Sequence, residues 1–292
     1  MKAILFPGQG SQQVGMGKEL YETSDLAKKI FNMSNEVLGY DITDVMFNGT
    51  IEELKKTDIT QPAIFIHSYV LFKINKTRDF DALAGHSLGE FSAITCAESL
   101  LFEEGLELVL VRARAMQKAC KLIDTTMAAI LGLEDEIVDN ICSGMIDVVP
   151  ANYNCPGQIV ISGSVDSINE ACSVFKENGA KAIPLSVGGA FHSHFMDSAK
   201  IELEDAVMKA NFKPPIRPIY QNFDASKHLD IEVIKNNVVN QLTSPVLWTQ
   251  TINNMINDNI NSYIECGPGR VLQGLVKKIN RNMNVLSNEI CL

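Results

Sequence analysis

Ser87 lies in a segment whose spacing is typical of a reactive serine. Residues 85–90, Gly-His-Ser-Leu-Gly-Glu, contain the G-x-S-x-G pattern, in which a sharp turn between a strand and a helix exposes the serine hydroxyl. A strand-like segment at 81–84 precedes the turn, and apolar residues follow it at helical spacing. A chain with 19 glycines can match the pattern by chance, so these flanking elements are the reason to predict that Ser87 is a nucleophile. The amide of Leu88 would then point to a developing oxyanion.

A serine is a poor nucleophile until a neighbouring base takes its proton. His192 and His194 follow a glycine-rich segment and are both candidates for that base. Their H-x-H spacing would also suit a metal, but no third group of ligands accompanies it, and we predict no metal site. His86 is expected to point away from the nucleophile, and His67 is expected to be a satisfied buried histidine within an apolar helix.

Arg112 is a charged residue on the apolar side of a predicted helix at 103–121. On a helical wheel it falls among apolar residues, whereas Arg114 shares its side with other charged residues. A guanidinium cannot lose its proton, so a buried arginine needs an anion beside it. Two interpretations stay open: Arg112 pairs with an internal carboxylate, or it binds the carboxylate of a substrate.

The first predicted strand, at 2–6, ends in the glycine-containing loop 7–12. This loop lacks the third glycine of a dinucleotide-binding motif and the G-K-S/T of a P-loop, so we do not predict nucleotide binding. The alternative is that the loop brings Gln9 close to another element, where an amide could donate to a reacting oxygen.

The rest of the chain alternates between strand and helix patterns. Strands and helices joined by glycine loops indicate an α/β protein with a mostly parallel sheet. A capping box at 50–53 opens a short helix. The other predicted helices lie at 18–38, 61–74, 195–211, 231–242 and 248–258, and the later strands at 216–221 and 263–266.

Residues 126–187 form a separate pattern, strand-helix-strand-strand-helix-strand. This order is that of a ferredoxin-like unit, which we predict to be a small domain inserted into a larger one formed by residues 1–125 and 188–292. The turn predicted at 152–157, between the middle strands, could line a cleft, and Asn154 within it is a candidate substrate contact.

Length and composition fit an ordinary globular enzyme. The 292 residues are 46% hydrophobic and 21% charged, with a net charge of −10, which should repel nucleic acid and anionic membranes. The seven cysteines are scattered without a C-x-x-C pair, as expected of reduced thiols. The first apolar run is too short for a signal peptide, and no run approaches ~18 apolar residues. We therefore expect a cytoplasmic protein without membrane or nucleic-acid partners, and a monomer.

Several segments together resemble the malonyl-CoA:acyl carrier protein transacylase family. They occur in the family's order from residue 4 to about 280. One departure is Ala113, where the family commonly has glycine. The matching segments are Phe6-Pro7-Gly8-Gln9-Gly10-Ser11-Gln12, Gly85-His86-Ser87-Leu88-Gly89-Glu90, Arg112 with Met116-Gln117, Ala190-Phe191-His192-Ser193, Gln241 with Ser244-Pro245-Val246 and Trp248, and Glu265-Cys266-Gly267-Pro268-Gly269.

The resemblance implies an α/β-hydrolase-like large domain with a ferredoxin-like insert, and ping-pong transfer through a malonyl-serine ester. Ser87 would be the nucleophile, His192 its base, and the main-chain carbonyl of Gln241 would orient the imidazole. The amides of Gln9 and Leu88 would form the oxyanion hole. Arg112 would bind the malonyl carboxylate, and Phe191 before the histidine resembles the residue found in malonyl-selecting members. No cofactor is implied.

The implied partners are malonyl-CoA and acyl carrier protein, in fatty acid synthesis. A trans-acting acyltransferase of a polyketide pathway stays open, as does a serine thioesterase or esterase, which would show a buried Asp or Glu beside the histidine. An acidic carrier protein would need a local basic patch. The candidates are Lys277, Lys278 and Arg281, or Lys73, Lys76 and Arg78.

Overall fold

The computed structural model of the chain describes residues 1–75 and 79–287. Lys76 and Arg78 of one predicted basic patch, and Cys291, lie outside these residues. The strands are β1 (Lys2–Phe6), β2 (Ala82–Gly85), β3 (Thr125–Leu131), β4 (Val148–Cys155), β5 (Gln158–Ser164), β6 (Lys181–Pro184), β7 (Ile219–Tyr220), β8 (Lys227–His228), β9 (Ser262–Glu265) and β10 (Asn284–Ser287).

Helices surround both sheets. The first seven are α1 (Lys18–Thr23), α2 (Asp25–Leu38), α3 (Ile42–Asn48), α4 (Ile51–Leu54), α5 (Thr57–Ile74), α6 (Gly89–Cys96) and α7 (Phe102–Ala119). The next six are α8 (Asp135–Ser143), α9 (Val165–Glu177), α10 (Asp197–Lys209), α11 (Ile231–Asn240), α12 (Trp248–Asn257) and α13 (Val271–Ile279), and short 3₁₀ turns cover His194–Met196 and Gln241–Thr243.

The larger sheet is mostly parallel, as predicted. Its order is β10-β9-β1-β2-β7-β8, and only β8 runs antiparallel to its neighbour. Apolar side chains pack against both faces of this sheet, in two separate clusters. Because β1, β2 and β7 are parallel neighbours, their carboxyl ends meet at one edge, where ligand sites of α/β proteins usually form.

The smaller sheet belongs to the inserted domain. Its order is β4-β5-β3-β6, all antiparallel, which is the ferredoxin-like arrangement. With α8 and α9 it encloses an apolar core of its own. These elements run from Thr125 to Pro184; the domain boundaries at 126–187 stay a prediction.

Several predicted elements differ from the observed ones. The helix predicted at 18–38 is broken at Ser24, whose hydroxyl caps α2 by accepting from the Ala27 N–H at 3.3 Å. The helix predicted from Gln61 begins at Thr57 and includes Pro62. The turn predicted at 152–157 is mostly strand, because β4 continues to Cys155 through two bulges.

The late strands also differ from the prediction. The strand predicted at 216–221 is reduced to β7, since prolines at 214, 215 and 218 cannot donate to a ladder. The strands β8 and β10 were not predicted. The capping box is confirmed: Thr50 accepts from the Glu53 N–H, and the Glu53 carboxylate accepts from the Thr50 N–H at 2.8 Å.

Candidate active site

Ser87 lies at the tip of a sharp turn between β2 and α6, with a left-handed φ of 51°. A side chain at Gly85 would overlap the backbone of Gly89, so the turn closes only with glycine there. The amide of Asn222 holds the turn from both sides. Its Oδ1 accepts from the Ser87 N–H at 2.7 Å, and its Nδ2 donates to the Gly85 carbonyl at 2.7 Å. The strained serine backbone is therefore fixed by two hydrogen bonds from another element.

His192 contacts the serine hydroxyl. Its Nε2 lies 2.8 Å from Ser87 Oγ, and its Nδ1 lies 2.8 Å from the main-chain oxygen of Gln241. A carbonyl can only accept, so Nδ1 carries the hydrogen and Nε2 is free to take the serine proton. Burial, and then the charge of Arg112, lower the pKa of His192 to about 3, which keeps the imidazole neutral over ordinary working pH.

His194 is separate from this site, although it is only two residues away. Its Nε2 lies 3.7 Å from Asp147 of the inserted domain, and its side chain is half-exposed. The structure thus brings one histidine of the H-x-H pair to Ser87 and not the other. His67 also differs from the prediction, because its Nδ1 is buried with no hydrogen-bond partner among the described residues.

Arg112 is 1% exposed, on α7, and its guanidinium faces Ser87. Nη1 donates to Gln61 Oε1 at 2.7 Å, and Nη2 donates to Ser87 Oγ at 3.1 Å and to Gln241 Oε1 at 3.3 Å. Within the described ranges, no carboxylate forms an ion pair with it. Burial lowers the pKa of Arg112 to about 10, so the group stays charged at neutral pH. Among the described residues, Arg112 therefore does not form the internal ion pair that the sequence left open.

The two amides predicted for an oxyanion hole border the same cavity. Gln9 and Leu88 both line it, beside Ser87. The main-chain hydrogen bonds of the described residues include none donated by either amide. Gly8 brings the first loop against the elbow, because a Cβ there would lie 2.5 Å from the His86 carbonyl oxygen. This close approach places Gln9 next to the nucleophile.

The inserted domain forms the opposite wall of the cavity, which has a volume of about 170 Å³. Asn154 reaches across from β4, and its Oδ1 lies 2.8 Å from His86 Nε2. Phe191 lines the cavity next to His192, and its carbonyl accepts from the Ser162 hydroxyl at 2.6 Å. The wall also includes the apolar side chains Met127, Val160, Leu185 and Val187.

Three polar residues at the site were given no role in the sequence analysis. Gln61 accepts a hydrogen bond from Arg112, and Asn222 accepts one from the Ser87 N–H. Glu90 is a buried carboxylate that accepts from the Asn222 N–H. A signal existed for Gln61, a polar residue on an otherwise apolar helix. The position of Asn222, just after a strand at the edge where the sites of α/β proteins form, was the corresponding signal.

No cluster of His, Cys, Asp and Glu in the described part of the chain has the geometry of a metal site. None of its helices has the length and apolar character needed to span a membrane.

The acyl transferase domain family model matches residues 4–290. A "Malonyl CoA-acyl carrier protein transacylase" from Staphylococcus aureus is 40% identical over 98% of this chain and 94% of its own length. The chain belongs to the malonyl-CoA:acyl carrier protein transacylase family. The resemblance inferred from the sequence motifs is therefore confirmed.

Solved structures of this family share the whole fold. An acyl-carrier-protein S-malonyltransferase from Bartonella henselae has a TM-score of 0.95 at 33% identity, covering 99% of this chain and 96% of its own. A type II PKS acyl-carrier protein in complex with its malonyl-transacylase gives 0.93 at 35% identity, covering 98% of this chain and 94% of that one. The predicted fold class, a large α/β domain with a ferredoxin-like insert, is the fold of the family.

Proposed function

We propose that this protein moves a malonyl group from malonyl-CoA to the phosphopantetheine thiol of acyl carrier protein, through an ester on Ser87, and supplies fatty acid synthesis. The observation that carries the proposal is Arg112, a buried cation that donates to Ser87 Oγ and has no ion-pair partner among the described residues. A buried cation that no carboxylate contacts directly favours the binding of an anion from outside the protein. The malonyl carboxylate, close to the carbonyl that is attacked, is such an anion.

In the first half-reaction, Ser87 Oγ attacks the thioester carbonyl of the donor while its proton moves to His192 Nε2. The carbonyl oxygen becomes an oxyanion, which the amides of Gln9 and Leu88 stabilise. When the intermediate collapses, the carbon–sulfur bond breaks, and the CoA thiolate takes the proton from His192. The products are the malonyl-serine ester and free CoA.

The second half-reaction reverses the roles of thiol and serine. The pantetheine thiol gives its proton to His192 and attacks the ester carbonyl, and Ser87 Oγ leaves with that proton. Each step uses only residues of this chain, so the reaction requires no cofactor. We also propose that the protein acts as a monomer, since one chain supplies every group named here. We propose a cytoplasmic location as well, because the scattered cysteines without a C-x-x-C pair are typical of reduced thiols.

The orientation of His192 favours transfer over hydrolysis. A main-chain carbonyl holds its Nδ1, where a hydrolase of this type would have a buried carboxylate. A neutral partner stabilises the imidazolium less, so water is activated less strongly than a thiol, which is the more acidic and more reactive nucleophile. A serine esterase or thioesterase is therefore the weaker hypothesis.

A polyketide carrier protein is the second candidate acceptor. The complex of a related malonyl-transacylase with a type II PKS acyl-carrier protein favours this possibility for the family. Incubating the protein with malonyl-CoA and both kinds of carrier protein tests the proposal. We expect a malonyl increment on the carrier and little free malonate; rapid release of malonate without transfer would contradict the proposal.

A further inference from the structure

Glu90 is a second buried charge at the site, in the first turn of α6 and 0% exposed. Its Oε2 accepts from the Asn222 N–H at 2.7 Å, and its Oε1 accepts from Gln221 Nε2 at 3.0 Å. In the part of the chain that the structure describes, no Lys, Arg or His forms an ion pair with it. The carboxyl is thus held by neutral donors only.

Gln241 and Asn222 connect Arg112 to Glu90. Gln241 accepts from Arg112 Nη2 through its Oε1 at 3.3 Å, and its Nε2 donates to Asn222 Oδ1 at 3.4 Å. The Asn222 N–H in turn donates to the Glu90 carboxyl. Burial raises the pKa of Glu90 to about 7, while its hydrogen bonds and the charge of Arg112 act in the opposite direction. The site therefore contains one buried cation and one buried acid, connected through Gln241 and Asn222 without a direct ion pair among the described residues.

We propose that Glu90 is the internal counter-charge of Arg112, and that it takes up a proton from solvent when the carboxylate of the donor binds Arg112. The inference rests on the proposed function, because it requires a donor with a carboxylate. Two buried carboxylates near one guanidinium repel each other, and protonation of Glu90 removes that repulsion. Glu90 would then act as a positioning residue that adjusts the affinity for acidic donors.

The other titratable groups in and around the site have pKa values shifted away from pH 7. Arg112 is the charged group whose field reaches the carboxyl. Burial lowers the pKa of His192 to about 3, lowers that of His67 on α5 to about 4, and lowers that of His86. Burial also raises the pKa of the Cys96 thiol at the end of α6 well above its usual value, and it raises the pKa of Tyr69 on α5.

The direction of the pH effect follows from linkage. The donor carboxylate raises the pKa of Glu90 above its value of about 7 in the free enzyme. Binding therefore takes up protons, and affinity for malonyl-CoA falls as pH rises from about 7 through the higher pKa of the complex. The fall amounts to about tenfold for each unit by which the pKa rises.

Calorimetry on the Ser87→Ala protein measures this uptake without acyl transfer. Malonyl-CoA is titrated at pH 7 in two buffers that differ in ionisation enthalpy, and the difference in binding heat gives the number of protons bound. We expect uptake of a fraction of a proton, since burial raises the pKa of the free carboxyl to about 7 and the donor carboxylate raises it further. Acetyl-CoA carries the same CoA phosphates without the carboxylate, and it should give none of this additional uptake.

A second variant assigns the proton to Glu90. Glu90→Gln in the same background should abolish the uptake, and it should bind malonyl-CoA at pH 8.5 about as tightly as the parent does at pH 6.5. The matched control is Glu265→Gln. Glu265 is also a buried carboxylate with a raised pKa before a helix, but it accepts from the Leu272 and Gln273 N–H groups. Glu265→Gln should therefore leave the proton uptake unchanged.

Uptake that persists in Glu90→Gln would overturn the inference. If that variant does not fold, the parent still decides: affinities for malonyl-CoA and acetyl-CoA that change in parallel between pH 6.5 and 8.5 would also overturn it. These outcomes differ from failure of the proposed function, in which the Ser87→Ala protein would bind malonyl-CoA no better than acetyl-CoA at any pH.

Discussion

The two walls of the cavity differ in the chemistry that they can supply. The wall from the large domain holds Ser87, whose hydroxyl contacts both His192 and Arg112 directly. The wall from the inserted domain presents apolar side chains and the amide of Asn154. This difference indicates that the large domain supplies the reactive groups and that the inserted domain shapes the cavity around the substrate. Substitutions on the first wall should change rates by orders of magnitude, and those on the second by small factors.

Ser87→Ala should have the largest effect, complete loss of the malonyl-enzyme. No other group at the site takes the place of the hydroxyl that accepts from Arg112 and contacts His192. Intact-protein mass spectrometry after incubation with malonyl-CoA measures the increment. The matched control in the inserted domain is Ser162→Ala, which loses one hydrogen bond to the Phe191 carbonyl and should still be acylated. A persistent increment in Ser87→Ala would place the nucleophile elsewhere.

His192→Ala should slow acylation by ~10²- to 10⁴-fold, the usual contribution of a general base. His194→Ala, two residues away and half-exposed beside Asp147, should be mild. Stopped-flow measurement of the acylation rate compares the two variants. The pKa of His192 is lowered to about 3, so no loss of acylation from its protonation should occur near pH 6.5. A larger effect at His194 would reverse the assignment.

Arg112→Ala should separate malonyl from acetyl donors. Removing one member of a buried charge pair costs ~2–5 kcal/mol, or roughly 30- to several thousand-fold in rate. Acetyl-CoA lacks the carboxylate, so its transfer should be nearly unchanged or faster. Arg112→Lys should recover only part of the malonyl transfer rate, because an ammonium keeps the charge but lacks the planar guanidinium that can donate two parallel hydrogen bonds.

The control for Arg112 is Arg114→Ala, an exposed position on the same helix, which should leave the ratio of the two donors unchanged. Equal losses of malonyl and acetyl transfer in Arg112→Ala, with a lowered melting temperature, would mean that Arg112 only stabilises the fold.

Asn154→Ala tests the opposite wall and should be modest. It removes the hydrogen bond to His86, which is typically worth ~0.5–1.5 kcal/mol, or about two- to tenfold. Steady-state kinetics should show the change mainly in KM. A loss as large as that of His192→Ala would contradict the division of labour between the walls.

The smallest effect is expected at the basic residues outside the cavity. Lys277 and Lys278 are exposed on α13, and Lys278 donates to Gln158, which also borders the cleft beside Asn154. Replacing both lysines by Gln should slow transfer to an acidic carrier protein a fewfold at low salt, with no effect at high salt. An unchanged transfer rate at low salt would exclude this surface as the docking site of the carrier protein.

The residues that could be predicted from the sequence each had a local signature. Ser87 had the elbow pattern, and Arg112 was a charge on an apolar stripe. The choice between His192 and His194 required the family resemblance, because it depends on backbone geometry: His192 has a left-handed φ of 59°. Which of its two ring nitrogens faces Ser87 is fixed by the carbonyl of Gln241.

Gln61 and Asn222 could not be assigned in this way. Asn222 lies 135 residues after Ser87, and its contact depends on the register of β2 and β7. A polar residue on an apolar helix or just after a strand marks such a position, but a single amide has no pattern that identifies its partner. The unpredicted β10 has a similar explanation, because its pairing with β9 joins separate segments of the chain.

The order of the segments along the chain also has a consequence during synthesis on the ribosome. The inserted domain is contiguous, and its sheet is complete once Pro184 has emerged. The large sheet is not, because β1 pairs with β9, which is made near the end. Domains fold as units as the chain grows, so the insert can form first, while Ser87 still lacks Asn222 and Gln241. We therefore expect a nascent chain to acquire transacylase activity only after these later segments are made.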